Sequence, residues 1–327
     1  MKYRQLGKNG PTVSAIGMGR GSQPVRPGEP LEEEFNSAIR RARELGVTLF
    51  DSSDAYWRAR HEVLLGTAVR PFRSEILLTS KFGNIDLPDG KKATNGRPEY
   101  VRQCCDASLQ RLGVDAIDVY YLHRVDPGVP IEDTVGEMSR LVERGKVRWI
   151  GICEAGVANL RRAHATWPLA ALQSEYSLWF REVEREIIPA CRELGIAYVA
   201  FAPLGRGLLT GRIRQFDDLP ASDRRRTHPR FAPENIAHNV KLVERLEGMA
   251  KDKGVTAPQL ALAWLLAQGD FVVPIPGTNH AANVEQNAAA VDIELAPDDL
   301  TVLDEMFPIG AGAGARGPAG LLKGMGI

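Results

Sequence analysis

The amino-acid sequence predicts an α/β fold: one (β/α)8 TIM barrel spanning residues 1–327, with an N-terminal β-hairpin, an extra C-terminal helix and a tail. Three observations lead there. A strand-like run followed by a helical run recurs eight times. The strand-like runs are mostly continuous rather than alternating apolar stretches, the pattern of a parallel sheet buried on both faces. Eight such units in one chain of 327 residues favour closure over an open doubly wound sheet.

Taken in order, residues 2–6 and 12–16 flank Lys8-Asn9-Gly10, a turn signal, and predict the opening hairpin. Strand-like runs follow at 15–18, 48–51, 76–80, 117–122, 148–152, 171–175, 197–201 and 272–275. Helical periodicity covers 31–45, 62–69, 99–112, 131–144, 157–167, 184–194, 235–253 with 257–267, and 284–290. Pro98 and Asp133 stand where helix starts prefer them. Gly46, Gly113, Gly145 and Gly195 stand just past helix ends. Loops are predicted at 83–98 and 203–234, the second basic around 224–230, and a Gly/Ala-rich tail at 308–327. Segments this long are usually lids or tails, and a basic run is usually a solvated face.

Composition narrows the function. Lys plus Arg equals Asp plus Glu at 41 each, and the pI is near 7.0, so no global field recruits nucleic acid or an anionic membrane. Cys104, Cys105, Cys153 and Cys191 form no C-x-x-C pair, which predicts reduced thiols and no metal. The N-terminus lacks an apolar signal core and no run of eighteen apolar residues occurs, so the expected location is cytoplasmic. Gly17-x-Gly19-x-Gly21 and Gly310-x-Gly312 lack the strand-to-helix setting of a dinucleotide fingerprint.

The chemistry collects at the far ends of the strands. Strand two ends in Asp51-Ser52-Ser53-Asp54-Ala55-Tyr56, strand three in Lys81 and strand four in His123. On a barrel, neighbouring strand ends converge on one rim. A free tyrosine, with a pKa of about 10, is a weak acid near neutral pH. An adjacent ammonium favours the phenolate, and a carboxylate beside that ammonium keeps it charged. A histidine beside the phenol can hydrogen-bond a substrate carbonyl oxygen. The set suits proton donation. No nucleophile elbow accompanies it.

At these residues the chain resembles the aldo-keto reductases over nearly its whole length, and most resembles their longer-chain bacterial and plant branch, with its pyridoxal-reductase-like and auxin-induced-like members. The matching stretches run from Phe50 to Trp57, Thr79 to Gly83, Asp115 to His123, Gln173 to Leu178, Ala202 to Gly207 and Pro274 to Thr278. The resemblance implies Asp51, Tyr56, Lys81 and His123 as a catalytic tetrad, and an extended nicotinamide cofactor across the barrel mouth without a Rossmann fold. It implies Cys153, Glu154 and Gln173 near the carboxamide and Phe201 stacked on the nicotinamide. It places Leu204, Gly205, Gly207 and Arg212 along the pyrophosphate, with Gly19, Arg20, Thr278, His280, Gln286 and Asn287 completing the cofactor set. Trp57, Tyr100, Arg124 and Trp179 are expected to line the substrate pocket.

Three departures matter. Trp57 replaces the usual Gly and should wall the pocket. Arg20 replaces a small residue, and two readings are equally open: a partner for a substrate carboxylate or a cofactor phosphate, or an ordinary exposed rim arginine. Asn279 and His280 stand where NADPH-preferring relatives carry Lys and Arg, whose charge-assisted contacts are worth ~1.5–3 kcal/mol each. NADPH is the family default and NADH use is open. The expected partner is a small carbonyl compound, with no nucleic acid or membrane, and the protein is a monomer or a homo-oligomer. Two other functions suit a barrel with these residues: a cofactor-sensing accessory subunit like the potassium-channel β subunits, and a Schiff-base lyase using Lys81. The intact tetrad argues against the first, Tyr56 and Asp51 against the second.

Overall fold

The computed structural model describes residues 1–21, 24–26, 28–87 and 91–317, so residues 88–90 of the first predicted loop and 318–327 of the tail lie outside the described residues. Strands β1 (Tyr3–Gln5) and β2 (Thr12–Ser14) pair antiparallel, Tyr3 opposite Ser14. This is the predicted hairpin. Leu6 and Val13 are fully buried against the barrel-interior residues Leu49, Val119, Tyr121, Val199 and Val273, so the hairpin plugs the bottom of the barrel. Arg4 fastens it by donating to the carbonyls of Gly269 (3.0 Å) and Leu266 (2.8 Å).

Helix α1 (Pro30–Glu44) leads to β3 (Leu49–Asp51), then come α2 (Arg60–Val69) and β4 (Leu77–Phe82). The short strands β5 (Asn84–Asp86) and β6 (Lys92–Thr94) pair antiparallel. The 83–98 segment was predicted as plain loop and is corrected to a hairpin. Its alternation is too short and too polar to stand out from a loop. The order continues α3 (Pro98–Leu112), β7 (Ile117–Leu122), α4 (Ile131–Glu143), β8 (Val147–Cys153), α5 (Val157–Thr166), β9 (Ala171–Glu175), α6 (Ile187–Leu194), β10 (Ala197–Phe201), α7 (Pro233–Asp252), α8 (Ala257–Ala267), β11 (Val272–Pro274), α9 (Ala281–Ala289) and α10 (Pro297–Met306). Gly113 and Gly195 take left-handed conformations (φ 67° and 69°) just past α3 and α6, where a side chain would be strained.

Seven strands form one parallel sheet in the order β11-β10-β9-β8-β7-β4-β3. The predicted strand at 15–18 is not a ladder. Residues 17–19 instead run between the two sheet edges as single bridges, Met18 with Phe50 and Gly19 with Gly277. The Gly17 and Gly19 amides donate to the carbonyls of Pro274 (2.9 Å) and Pro276 (3.2 Å), and Met18 exchanges bonds with Leu49 and Asp51 (2.8 and 2.9 Å). That segment closes the curled sheet in the manner of a TIM barrel. It tolerates only glycine at its tightest points: a Cβ on Gly17 would lie 2.9 Å from Ile275 and 3.0 Å from the Leu49 carbonyl. Outside the sheet, the helices bury Phe35, Leu65, Val101, Met138, Leu160, Val243 and Trp264 against Leu78, Leu122, Ile150 and Leu172. Each fully buried aliphatic side chain there is worth ~1.5–3 kcal/mol. Among the described residues, no helix is long and apolar enough to cross a membrane.

Candidate active site

Asp51 ends β3, Lys81 lies one residue before the end of β4, and His123 follows β7 directly. These strands are neighbours in the sheet, so their ends meet. Tyr56 arrives from a tight turn after β3, in which its amide donates to the Ser53 carbonyl (3.1 Å). The next residues, Trp57, Arg58 and Ala59, all have positive φ (51°, 55°, 65°). Three consecutive non-glycine residues in that region carry strain, which packing around Trp57 must offset.

The centre is Lys81, wholly buried. Its Nζ donates to Asp51 Oδ2 (2.5 Å), to the Ser52 carbonyl (2.6 Å) and to the Tyr56 hydroxyl (3.2 Å). Three ammonium protons meet three acceptors. Burial alone would discharge the amine, but Asp51 and Tyr56 outweigh it and hold Lys81 above its ordinary pKa. Asp51 is fixed in turn by Thr79 Oγ1 (2.8 Å) and Gln173 Nε2 (2.9 Å). Sequence reasoning set Gln173 beside a cofactor amide. Here one of its N–H groups is given to the Asp51 carboxylate of the tetrad itself.

His123 stands edge-on to the Tyr56 ring, centroids 5.9 Å apart. Burial first, then the charges of Arg124 and Lys81, push its pKa well below the usual histidine value, so it is a neutral imidazole. Its Nδ1 meets Ser53 Oγ at 3.1 Å, which leaves Nε2 for another partner. A second buried histidine, His61, was not foreseen. Its ring lies edge-on to Tyr56 (5.8 Å) and to Trp57 (4.9 Å), its Nδ1 meets Ser52 Oγ at 2.8 Å, and burial drives its pKa down to about 3. The only sequence signal was its place on the inward face of α2, which does not separate it from a core residue.

The remaining predicted residues fall into groups. Arg212, Thr278 and His280 form one hydrogen-bonded rim through Asn283, a residue the sequence did not single out: Arg212 Nη2 donates to Asn283 Oδ1, and Thr278 Oγ1 accepts from Asn283 Nδ2 and from the His280 amide, all at 3.1 Å. Gln286 and Asn287 are on α9 beside it. Phe201 ends β10 half-exposed, after four buried residues. Leu204 leads into a turn where Gly205, Arg206 and Gly207 are all left-handed (φ 57°, 57°, 94°). Gly19 is in the closure bridge. Cys153 belongs to the barrel interior, its thiol pushed up to about 12 by burial.

The other predicted residues have these partners. Glu154 is buried and bonded to the Arg316 guanidinium, to Ser174 Oγ (2.9 Å) and to the Glu175 amide (2.9 Å). It forms a structural ion pair with the tail. Trp179 is 4% exposed and packs on Phe307 and Gly312. Arg124 donates to its neighbour's carbonyl, that of His123 (2.6 Å). Tyr100, on α3, is half-buried and shares a hydrogen bond with Cys104. Arg20 is no exposed rim residue: its guanidinium lies over the Tyr56 ring (4.8 Å) and near Trp57 (5.8 Å).

A buried Lys–Asp pair bonded to a tyrosine at the mouth of an α/β barrel defines a class of barrel oxidoreductases acting on carbonyls. Residues 15–307 match the model of the Aldo/keto reductase family, and the chain belongs to that family. A probable aldo-keto reductase from Glycine max is 46% identical over 316 residues, 95% of this chain and 90% of its own. Among solved structures, a thermostable aldo-keto reductase bound to the inhibitor epalrestat is 27% identical, with a TM-score of 0.75 over 94% of this chain and all of its own. The glycerol dehydrogenase of Gluconobacter oxydans shares the fold, with a TM-score of 0.84 over 93% of this chain and 94% of its own, at 24% identity. The family acts on small carbonyl compounds and generally uses nicotinamide cofactors.

Proposed function

We propose that the protein reduces an aldehyde or ketone to an alcohol with NAD(P)H, reversibly, with Tyr56 as the proton donor. The observation that carries this reading is the Lys81 ammonium, bonded at once to Asp51 and to the Tyr56 hydroxyl. When bound, the reduced nicotinamide supplies a hydride to the carbonyl carbon. Tyr56 gives its phenolic proton to the carbonyl oxygen. Lys81 stabilises the phenolate this leaves, in a site where low dielectric strengthens the interaction. Asp51, held by Thr79 and Gln173, keeps Lys81 charged and in place. Neutral His123, anchored by Ser53, offers Nε2 to the carbonyl oxygen. An amine kept fully protonated is a poor Schiff-base nucleophile, which disfavours a lyase.

The residues fit a dinucleotide. Phe201 offers a half-exposed ring at the mouth. The left-handed turn at Gly205–Gly207 and the guanidinium of Arg212 suit a pyrophosphate. Thr278, Gln286 and Asn287 line the adenosine side. There His280 Nδ1 meets Glu34 Oε2 at 2.5 Å, and a carboxylate beside that rim weakens the case for an extra phosphate. NADPH and NADH both belong in the trial. Tyr56→Phe should lower turnover about 10²–10⁴-fold, the usual size of a lost general acid, while cofactor still quenches tryptophan fluorescence. Wild-type turnover in that variant would end the proposal.

A further inference from the structure

Among the described arginines around the barrel mouth, three are paired with carboxylates. Arg206, Arg230 and Arg316 all pair with Glu175 (3.1, 3.5 and 3.8 Å), and Arg316 pairs with Glu154 as well. Arg124 and Arg20 have no carboxylate within ion-pair distance among the described residues. Of these two, Arg20 overlies the tetrad. Its guanidinium is 4.8 Å from the centroid of the Tyr56 ring and 5.8 Å from that of Trp57, and its one hydrogen bond goes from Nη1 to the Gly21 carbonyl (3.0 Å). The Asp51 carboxylate cannot serve it, being held by Lys81, Thr79 and Gln173. The other charges acting on it include Arg206 and Arg224, both cationic.

A second donor beside it also lacks an acceptor. The Trp57 indole N–H is buried without a hydrogen-bond partner. A half-buried guanidinium with a single acceptor, and a buried indole N–H with none, are costly unless a ligand supplies the rest. The backbone holds Arg20 in this position. A Cβ on Gly277 would lie 1.9 Å from the Arg20 carbonyl, so the two backbone segments touch there, at the bridge that closes the barrel.

We infer that Arg20 is the anion-binding residue of the substrate pocket, and that the substrate is a carbonyl compound bearing a carboxylate. That the bound anion is a substrate rests on the reductase reading; the anion site itself does not. Because the guanidinium stacks on the ring of the proton donor, the carboxylate is close to the reacting carbonyl, as in a 2-oxo acid or a compact aldehyde acid. The guanidinium fork holds a carboxylate through two parallel bonds, which a lysine does not reproduce.

The test compares acid and ester pairs: phenylglyoxylate with methyl phenylglyoxylate, and 4-carboxybenzaldehyde with methyl 4-formylbenzoate. For each, kcat/KM is measured in wild type, Arg20→Leu and Arg20→Lys. Wild type should prefer the acid of at least one pair by about 10- to 100-fold, the range of a lost charge-assisted contact. Arg20→Leu should bring that ratio to about one or below, and Arg20→Lys should restore part of it. Binding of benzoate and benzamide, followed by tryptophan fluorescence, supplies a readout without turnover. Benzoate should bind wild type at least about 10-fold more tightly than it binds Arg20→Leu. Equal losses for acid and ester, or equal benzoate affinity in the two proteins, would overturn the inference. So would a variant that loses NADPH or NADH affinity but keeps benzoate, since Arg20 would then serve the cofactor. If no carbonyl compound is turned over yet benzoate binding still depends on Arg20, the anion site stands and the reductase reading fails.

Discussion

Tyr56 is surrounded by groups whose protonation is fixed over the whole physiological range. Lys81 is charged because Asp51 and Tyr56 outweigh its burial, and His61 and His123 are neutral because burial and the neighbouring cations both oppose their charged form. The histidines leave a signature in stability. The His61 pKa falls from 6.5 in the unfolded chain to about 3 in the fold. Above pH 6.5 both states hold it neutral, and no pH dependence arises. Below 6.5 the unfolded chain gains a proton that the fold refuses, so stability falls, at up to ~1.4 kcal/mol per pH unit, until about pH 3. His61→Gln stays neutral throughout and loses that slope. It should be less stable than wild type at pH 7, through the lost Ser52 contact, and the gap should narrow as urea unfolding is repeated at pH 6 and 5. A constant gap would mean that His61 takes up its proton as readily in the fold as in the unfolded chain. None of this was legible beforehand, because a histidine on a helix face carries no sign of its burial. The tetrad was legible, because its members follow strands whose ends a barrel must bring together.

At the scale of the element, the informative segment is the shortest. Residues 15–18 read as a full strand, and the chain at 17–19 is instead a seam of single bridges between the β3 and β11 edges. Apolar periodicity reports burial, and these residues are buried, but it does not report how many ladder bonds form. The glycines carried the missing information. Gly277→Ala would set a methyl 1.9 Å from the Arg20 carbonyl, and backbone cannot rotate away as a side chain can. The expected cost is ~1–3 kcal/mol of stability, the usual price of overpacking, together with loss of activity as Arg20 and the seam shift. Gly248→Ala is the control: it lies exposed within α7 with nothing inside 4 Å of the added carbon, and should gain ~0.5–1 kcal/mol. Similar urea midpoints for the two variants would show that the seam yields. The hairpin of β5 and β6 escaped notice for the opposite reason. It is half-exposed and polar, so its pairing left no pattern of burial to read.

Across the whole molecule, the mouth is tied together by charge drawn from distant parts of the chain. Glu154 ends up after β8 and Glu175 closes β9, while Arg206 and Arg230 come from the loop between β10 and α7 and Arg316 from the tail. The tail is also pinned where Asn239 bonds Ala313 and where His238 meets the Ala311 carbonyl (3.0 Å). Sequence reasoning gave Glu154 to the cofactor because position along a strand is readable and the path of a glycine-rich tail is not. The pairing predicts how the tail matters. Burial would raise the Glu154 pKa, yet Arg316 and Arg124 hold it below the ordinary carboxylate value. Arg316→Ala removes the larger of those charges and strands a buried carboxylate, which costs ~3–5 kcal/mol, less what Ser174 and the Glu175 amide retain. Burial is then opposed less, so Glu154 binds a proton more readily in the variant. The penalty should be largest near pH 7 and shrink as pH falls and the carboxyl neutralises. Adding Glu154→Gln to Arg316→Ala should recover most of the loss at pH 7, because no unpaired charge remains. Urea midpoints for the four proteins of that cycle at pH 7 and pH 5 decide the matter: additive losses, or a penalty indifferent to pH, would mean that the tail is held by its backbone bonds and not by the ion pair.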